Sequence, residues 1–365
     1  MSGAETKPEQ VRTGSAKLNF VLLGDRPVGD GQRVLIVAEA GVNHDGVLDQ
    51  ALRLVDAAAD AGADVVKFQM FRAAELVTAT AAAAGYQQAR GVRSQREMLA
   101  RLELSDRDFA RLAAHCRARS IEFLATPFNP PDVDRLLALH VRALKIASPD
   151  LVNPPLLRRA AETGLPLLLS TGASTADEIA AAVAQLRGWG AAGRLILLHC
   201  VSGYPAPLDA ANLRAIGTLR RTFGVPAGFS DHTRSTAIAG WAVAAGACVL
   251  EKHFTLDRDA AGPDHAASLD PKELGAYVRA ARDAEAALGA GALGMSPLEA
   301  DIRAVARQSV VSARHIPAGA LLTAEMLTVK RPGGGIEPGR LEALLGRRAA
   351  ADIPADTVLT WELVQ

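Results

Sequence analysis

The sequence predicts an α/β protein, a (β/α)8 barrel followed by a small module of irregular β structure. Three observations predict it. Eight short apolar runs recur along the chain, and Ala-rich, helix-like segments separate them. Nearly every run ends in a polar or ionisable residue that a buried strand has no reason to carry. After a Gly/Ala-rich break, two related segments follow one another in the last part of the chain. In a closed barrel the carboxyl ends of all eight strands meet at one face, and chemistry is built there.

In order, the runs are 34–40 with Glu39, 64–69 with Lys67 and Gln69, 121–127 with Thr126, and 143–148 with Lys145 and Ser148. The second half brings 166–171 with Ser170 and Thr171, 195–200 with His199, 226–232 with Ser230 and His232, and 249–254 with His253. A hairpin with a Gly24–Asp25 turn is expected before the first of them. Helical patterns occupy 48–61, 106–120, 132–139, 154–162, 175–189, 212–223, 235–245 and 271–288. Ser105/Asp106 and Ser174/Thr175 supply good caps. The stretch from Ala73 to Ser105 exceeds a simple crossover, and such insertions at the catalytic face carry specificity.

The domain layout expected is a mobile tail over 1–17, the barrel over 18–290, a linker over 291–304 and the module over 305–365. Within the module, the segment starting Ile316-Pro-Ala-Gly aligns with the one starting Ile353-Pro-Ala-Asp, thirty-seven residues later. So small a unit has a limited core and is expected to lean on another surface.

Bulk properties exclude some functions. Forty Lys+Arg balance forty Asp+Glu, so no basic surface for nucleic acid is indicated. The tail lacks the apolar core of a signal peptide, and the longest apolar stretch, 237–250, is too short to span a bilayer. Three cysteines, an odd number without zinc spacing, suit a reducing, cytoplasmic setting; Cys200 and Cys248 read as buried core thiols.

His232 and His253 end consecutive strands. A lone His would read as a strand cap. Two at adjacent ends, with Glu39 across the barrel, favour a shared divalent metal, Mn²⁺ first and Mg²⁺ or Co²⁺ as alternatives. Lys67 and Lys145 interrupt apolar runs. Each either pairs with a local carboxylate such as Asp64 or Asp150, or points inward and binds an anion. Gln69 shares a strand face with Lys67. Hydroxyls at Thr126, Ser148, Ser170 and Ser230 add donors for phosphate, and the turns at Ser170–Gly172 and Ser230–Asp231 are expected to open helices whose N-termini favour anions. Glu39 is a candidate acid/base, or else an ion-pair partner of Lys67. His44 holds a loop. Glu251 is either behind the metal or a partner to a lysine.

Taken as motifs, these residues resemble the sialic acid synthase family of N-acetylneuraminate and related nonulosonic acid synthases. The resemblance covers nearly the whole chain after the tail. It is carried by Ile36-Val-Ala-Glu-Ala-Gly-Val-Asn-His-Asp-Gly, Val66-Lys-Phe-Gln, Ala125-Thr-Pro-Phe, Lys145-Ile-Ala-Ser, Leu169-Ser-Thr-Gly, Phe229-Ser-Asp-His-Thr, Glu251-Lys-His-Phe-Thr and Gly262-Pro-Asp-His. The tail module, with Val329-Lys-Arg-Pro-Gly, resembles the family's antifreeze-like SAF domain of β-clip type.

The resemblance implies a transferase that condenses phosphoenolpyruvate with an N-acylated amino sugar. The default sugar is N-acetylmannosamine, with a diacetamido hexose of the legionaminic or pseudaminic type behind it. It implies that Lys67, Thr126, Lys145, Ser148, Ser170 and Ser230 hold phosphoenolpyruvate, and that His232 and His253 hold the metal. Glu39, Gln69, Tyr204 and Asp264 would contact the sugar. Arg331 would reach its N-acyl group from the partner subunit of a domain-swapped homodimer. Glu39, Lys67, Lys145 and His232 carry the catalytic expectation. Departures at Pro149–Asp150, Ser202, Ala173 and Ala81–Tyr86 bear on the sugar rather than on phosphoenolpyruvate. Two rivals remain: a synthase of seven- or eight-carbon keto acids, which does not predict the tail module, and a non-catalytic carbohydrate-binding relative, which does not require Glu39, Lys145, His232 and His253 together.

Overall fold

The computed structural model describes residues 19–79 and 94–365. Expectations for the tail over 1–17 and for the middle of the long insertion lie outside these residues. The chain divides into two compact units at Gly289/Ala290.

The first unit opens with an antiparallel hairpin, β1 (Phe20–Leu23) and β2 (Arg26–Gly29), turning at Gly24–Asp25 as expected. Eight parallel strands follow: β3 (Leu35–Gly41), β4 (Val65–Met70), β5 (Glu122–Pro127), β6 (Leu144–Ile146), β7 (Leu167–Ser170), β8 (Leu195–Cys200), β9 (Ala227–Asp231) and β10 (Val249–His253). All eight coincide with the predicted runs. Their order is β5-β4-β3-β10-β9-β8-β7-β6, and the two end strands lie side by side, so the sheet curls into a nearly closed barrel. Closure makes the last strand a neighbour of the first, with His253 opposite Glu39.

Period-two alternation builds the barrel interior in layers. The lower layers are apolar: Leu35, Val65, Leu124, Leu168, Ile196 and Val249 pack with Val21, Leu23 and Val28 of the hairpin, which plugs the amino ends of the strands. On six of the eight strands the next inward position is polar. Glu39 follows Val37, Lys67 follows Val65, Thr126 follows Leu124, Lys145 follows Ala143, Ser170 follows Leu168 and Glu251 follows Val249. The outward residues join the helices in a second, larger core.

The helices match expectation within a few residues. Pro154–Glu162 and Pro271–Leu288 agree at both ends. Asp106–Ala118 and Ala176–Gly188 begin at capping boxes built by Ser105 with Asp108 and by Thr175 with Glu178. One helix starts earlier than predicted, at Pro130–Ala138, because Asn129 caps it and prolines fill its first turn. None of the described helices is long and apolar enough to cross a membrane.

The second unit, Ala290–Gln365, has a core of its own that includes Val310, Ile316, Leu322, Leu344, Ile353 and Leu359. The stretch read as linker carries structure: a 3-10 turn at Pro297–Glu299, capped by Ser296 and Glu299, runs into the helix Ala300–Ala306. A two-stranded ladder joins β11 (Ser309–Ser312) to β12 (Leu327–Lys330). The sequence repeat is a structural repeat. Ile316 and Ile353 exchange both backbone hydrogen bonds at 2.9 Å. Three residues on, Gly319 (φ 77°) and Asp356 (φ 63°) occupy the same left-handed turn position. The 3-10 turns Ala324–Met326 and Trp361–Leu363 follow at matching places.

Candidate active site

The polar layer at the carboxyl ends of the strands brings most of the predicted residues together. Lys67 Nζ lies 2.8 Å from Glu39 Oε2 and donates to Thr126 Oγ1 at 2.9 Å. Lys145 Nζ donates to Ser170 Oγ at 2.6 Å. Glu251 stands between the two ammonium groups, 3.8 Å from Lys67 and 3.7 Å from Lys145, and accepts from Ser230 Oγ at 3.0 Å. Glu251 is therefore the partner of both lysines. Neither Asp64 nor Asp150 takes that role: Asp64 is engaged by Arg26 and Arg282 at the other end of the barrel.

These four charges are fully buried. Burial alone drives every one toward its neutral form. For Glu251 the two lysines outweigh burial and hold the carboxyl below its usual range. For Glu39 burial, reinforced by repulsion from Glu251, outweighs Lys67 and pushes the carboxyl up to about 7. Burial also lowers Lys145, against the pull of Glu251. Two carboxylates in one cluster thus have separated proton affinities, the pattern expected of an acid/base site.

Gly41 marks where a second group of predicted residues converges. A Cβ there would lie 3.3 Å from Gln69 Nε2, 3.3 Å from Glu39 Oε1 and 3.4 Å from Asp264 Oδ2. Gln69, on the same face of β4 as Lys67, donates to Glu39 Oε1 at 3.3 Å. Asp264, its carboxyl raised by burial, approaches His253 Nδ1 at 3.9 Å.

His232 and His253 have ring centroids 5.5 Å apart, and Tyr204 tilts over His232 at 4.2 Å. His232 Nδ1 faces the Val201 carbonyl at 2.8 Å, which assigns its proton to Nδ1 and leaves Nε2 a lone pair. His253 Nδ1 is buried with no hydrogen-bond partner among the described residues, and burial holds the ring neutral. Burial works against the charged form of His232, but Cys200 and the Val201 carbonyl outweigh it and raise that ring's proton affinity; once that proton is lost, two imidazoles and a nearby carboxylate fit a divalent cation whose other positions are open to substrate or water. Among the described residues no group of three or more His, Cys, Asp or Glu is arranged to hold a metal ion, so the two imidazoles would be its main protein ligands.

Several expectations are corrected. Glu39 is not across the barrel from the histidines; closure sets it beside His253. His199 faces outward, stacking on Phe229 at 5.8 Å and meeting the Ala211 carbonyl at 2.9 Å. The inward residue at the end of β8 is Cys200, in register with Ser230, so it is not a plain core thiol: its sulfur lies 3.7 Å from His232 Nδ1. Alternation, counted back from Ser230, could have revealed this. The turns at Ser170–Gly172 and Ser230–Asp231 do not open helices, which start at Ala176 and Ile238. Gly172 is required there for another reason: a Cβ would lie 2.4 Å from Ser202 Oγ and 2.9 Å from both Cys200 Sγ and Ser148 Oγ. Ser148 Oγ accepts the Gly172 N–H at 2.9 Å. His44 holds its loop by accepting the Gly46 N–H at 3.0 Å. Arg331 belongs to the second unit, directly after β12.

Comparison with known proteins finds relatives over most of the chain. The model of the NeuB family matches residues 54–292, and that of the SAF domain matches residues 307–365. The N,N'-diacetyllegionaminic acid synthase of Legionella pneumophila is 42% identical over 352 residues, 95% of this chain and 99% of that protein. The N-acetylneuraminate-9-phosphate synthase of Mus musculus is 33% identical over 351 residues, 95% of this chain and 97% of that one. A solved structure of the N-acetylneuraminic acid (sialic acid) synthetase of Leptospira borgpetersenii, in complex with citrate, matches with a TM-score of 0.70 at 37% identity, covering 78% of this chain and 95% of that one.

Proposed function

Because the chain belongs to the NeuB family, we propose that it condenses phosphoenolpyruvate with an N-acylated amino sugar and water to give a nine-carbon 2-keto acid and phosphate. One observation carries the reading. Two buried lysines, one bonded to Thr126 and the other to Ser170, meet on either side of Glu251 at the carboxyl ends of the barrel strands. A neutral protein buries such ammonium groups where an anion of high charge is to be held.

Bound there, the enol phosphate would present C3 to the open-chain aldehyde of the sugar. The C3–C1 bond forms, the aldehyde oxygen takes a proton, and cationic character develops at C2. Water adds at C2 and loses a proton, and the tetrahedral carbon expels phosphate by C–O cleavage to leave the ketone. Lys67 and Lys145 balance the charge of the phosphate and carboxylate throughout. Glu39, whose affinity for a proton lies near neutrality, handles the proton at the aldehyde end. Gln69, Asp264 and Tyr204 orient the sugar. His232 and His253 would hold a divalent metal, Mn²⁺ first, which when bound supplies Lewis acidity toward the aldehyde.

For the sugar, a diacetamido hexose moves ahead of N-acetylmannosamine, because the Legionella relative is named for N,N'-diacetyllegionaminic acid and shares more of this sequence than the mouse one. The second unit exposes Leu293, Leu298, Ile302 and Val305; we take these apolar side chains as support for a homodimer in which Arg331 serves the partner's site. Three free, buried cysteines suit a reducing compartment such as the cytoplasm.

The test is phosphate release from phosphoenolpyruvate with Mn²⁺, each sugar supplied separately and products weighed by mass spectrometry. Turnover with the diacetamido hexose is expected to exceed that with N-acetylmannosamine. No turnover with either, in folded metal-loaded protein, would sink the reading.

A further inference from the structure

One residue before each imidazole stands a charged side chain that faces away from the site. Asp231 precedes His232, and Lys252 precedes His253. Alternation turns both out of the barrel, and the register of β9 with β10 sets them opposite one another. Lys252 Nζ donates to Asp231 Oδ2 at 2.9 Å and also to the Thr233 carbonyl. Asp231 Oδ1 in turn accepts the Thr233 N–H at 2.7 Å. Both neighbours of His232 are therefore tied to a single ammonium group, and that group belongs to the residue next to His253.

The pair is sealed from water, with Asp231 0% and Lys252 1% exposed. The ring centroid of Tyr277, from the helix Pro271–Leu288, lies 5.7 Å from Nζ. A buried ion pair is a poor source of stability; apolar residues of like volume often do as well or better. Its place here, straddling the two imidazoles from behind, gives it a different use.

We propose that Asp231 and Lys252 form a positioning brace that fixes the spacing and orientation of His232 and His253, the two residues that would hold a divalent cation. The proposal rests on the reading of the two imidazoles as metal ligands. Without the brace, the chain around His232 is held by the Ala206 N–H to the His232 carbonyl at 2.9 Å and by the Val201 carbonyl on its ring. His253 keeps its strand, the Leu269 N–H on its carbonyl at 3.0 Å and the Asp264 carboxylate 3.9 Å from Nδ1.

The experiment measures Mn²⁺ affinity, by the EPR signal of the free ion, on the full-length chain and four variants. His253→Ala should abolish the site. Lys252→Met, and the charge-neutral double variant Asp231→Asn/Lys252→Met, should weaken binding by about tenfold or more, with turnover largely restored at saturating Mn²⁺. Arg282→Met, at the opposite end of the barrel, should lower Tm and leave Mn²⁺ affinity unchanged. A double variant that folds and binds Mn²⁺ like the wild type overturns the brace. Should Lys252→Met fail to fold because Asp231 is left unpaired, the double variant decides alone.

A second readout separates failure of the brace from failure of the metal reading. If wild type and His253→Ala bind Mn²⁺ alike, the metal reading falls. Imidazole ¹H–¹⁵N spectra of the metal-free protein then judge the brace. A single Nδ1–H form of His232 in the wild type that gives way to exchange-broadened signals in the double variant supports it. Identical spectra overturn it.

Discussion

At the amino ends of the barrel strands, Asp64 receives Arg26 at 2.8 Å, Arg282 at 2.7 Å and the Ile36 N–H at 2.8 Å. At the carboxyl ends, Glu39 has Lys67 at 2.8 Å and a long contact from Gln69 at 3.3 Å, while Glu251 Oε2 has no hydrogen bond among the described residues. Both ends bury charge. They differ in how far that charge is answered. The lower carboxylate has more positive charge around it than it can use, and its partners, against burial, hold it below the usual carboxylate range. The upper cluster is balanced only in aggregate, so its members are pushed in different directions. A structural ion network satisfies its groups; a site keeps them in want of a ligand.

Substitutions at the upper end should therefore hurt turnover far more than stability, and Glu39→Gln tests this most severely. Turnover is expected to fall by about 10²–10⁴-fold, the usual weight of an acid/base group. Stability should respond in the opposite sense. A carboxyl raised in the fold from 4.5 to about 7 contributes stability that is fully present below about pH 4.5 and lost as pH rises through 7. That displacement is worth roughly 3 kcal/mol by pH 8. Glutamine keeps the neutral shape, so urea unfolding of the variant should lose the wild type's decline between pH 5 and 8. A decline of the same size in both proteins would show that Glu39 does not carry it.

Lys145→Met comes next. Turnover should drop by about 10²–10³-fold, with the KM for phosphoenolpyruvate raised, because a donor to the anion is gone. Glu251 keeps Lys67 at 3.8 Å, so the fold should survive. If the loss of activity merely tracks a loss of Tm, the upper cluster is structural and the contrast between the two ends collapses.

Arg282→Met carries the comparison to the lower end. The guanidinium donates to Asp64, to Glu285 and to the Val34 carbonyl. Breaking a buried pair costs about 3–5 kcal/mol; here Arg26 remains on Asp64 and the arginine is one-fifth exposed on its side chain, so about 1–3 kcal/mol is the expected loss. Thermal unfolding reads it directly, and kcat/KM below the melting range should stay at the wild-type value.

How much of this was legible in the sequence follows the same division. The lower and outer layers were easy, because apolar runs bounded by turns can only be buried strands in a chain of this pattern. The upper layer was legible as a list of residues but not as a set of pairs. Alternation could place Lys67, Gln69 and Glu39 on inward faces; it could not say that Glu251 would sit between two lysines on other strands, since that depends on strand order around the barrel. The position of Glu39 beside His253 depends on closure, which makes first and last strands neighbours and which no single strand's sequence reports. Polarity alone points to His199 at the end of its strand, whereas the face each residue occupies turns Cys200 inward and His199 out. Lys252 went unread for the converse reason: a lysine between Glu251 and His253 looks like more of the site, yet it points the other way.

The smallest effect is the most specific. Asp64 has a folded pKa below its ordinary 3.8, so its contribution is present above about pH 3.8 and is lost as pH falls through the lower, folded value. Glu39 acts in a different window and with the other sign. The wild type should thus lose stability on both sides of about pH 4–5, by acid titration at the amino end and by alkaline titration at the carboxyl end. Asp64→Asn should flatten only the acid limb and leave the decline toward pH 8 intact; Glu39→Gln should do the reverse; the double variant should lose both, additively, because the two groups sit at opposite ends of the strands and share no partner. Stability curves from urea unfolding across pH 3–8 would resolve these limbs. A single substitution that moved both would mean that the two ends form one electrostatic network rather than a plug and a site.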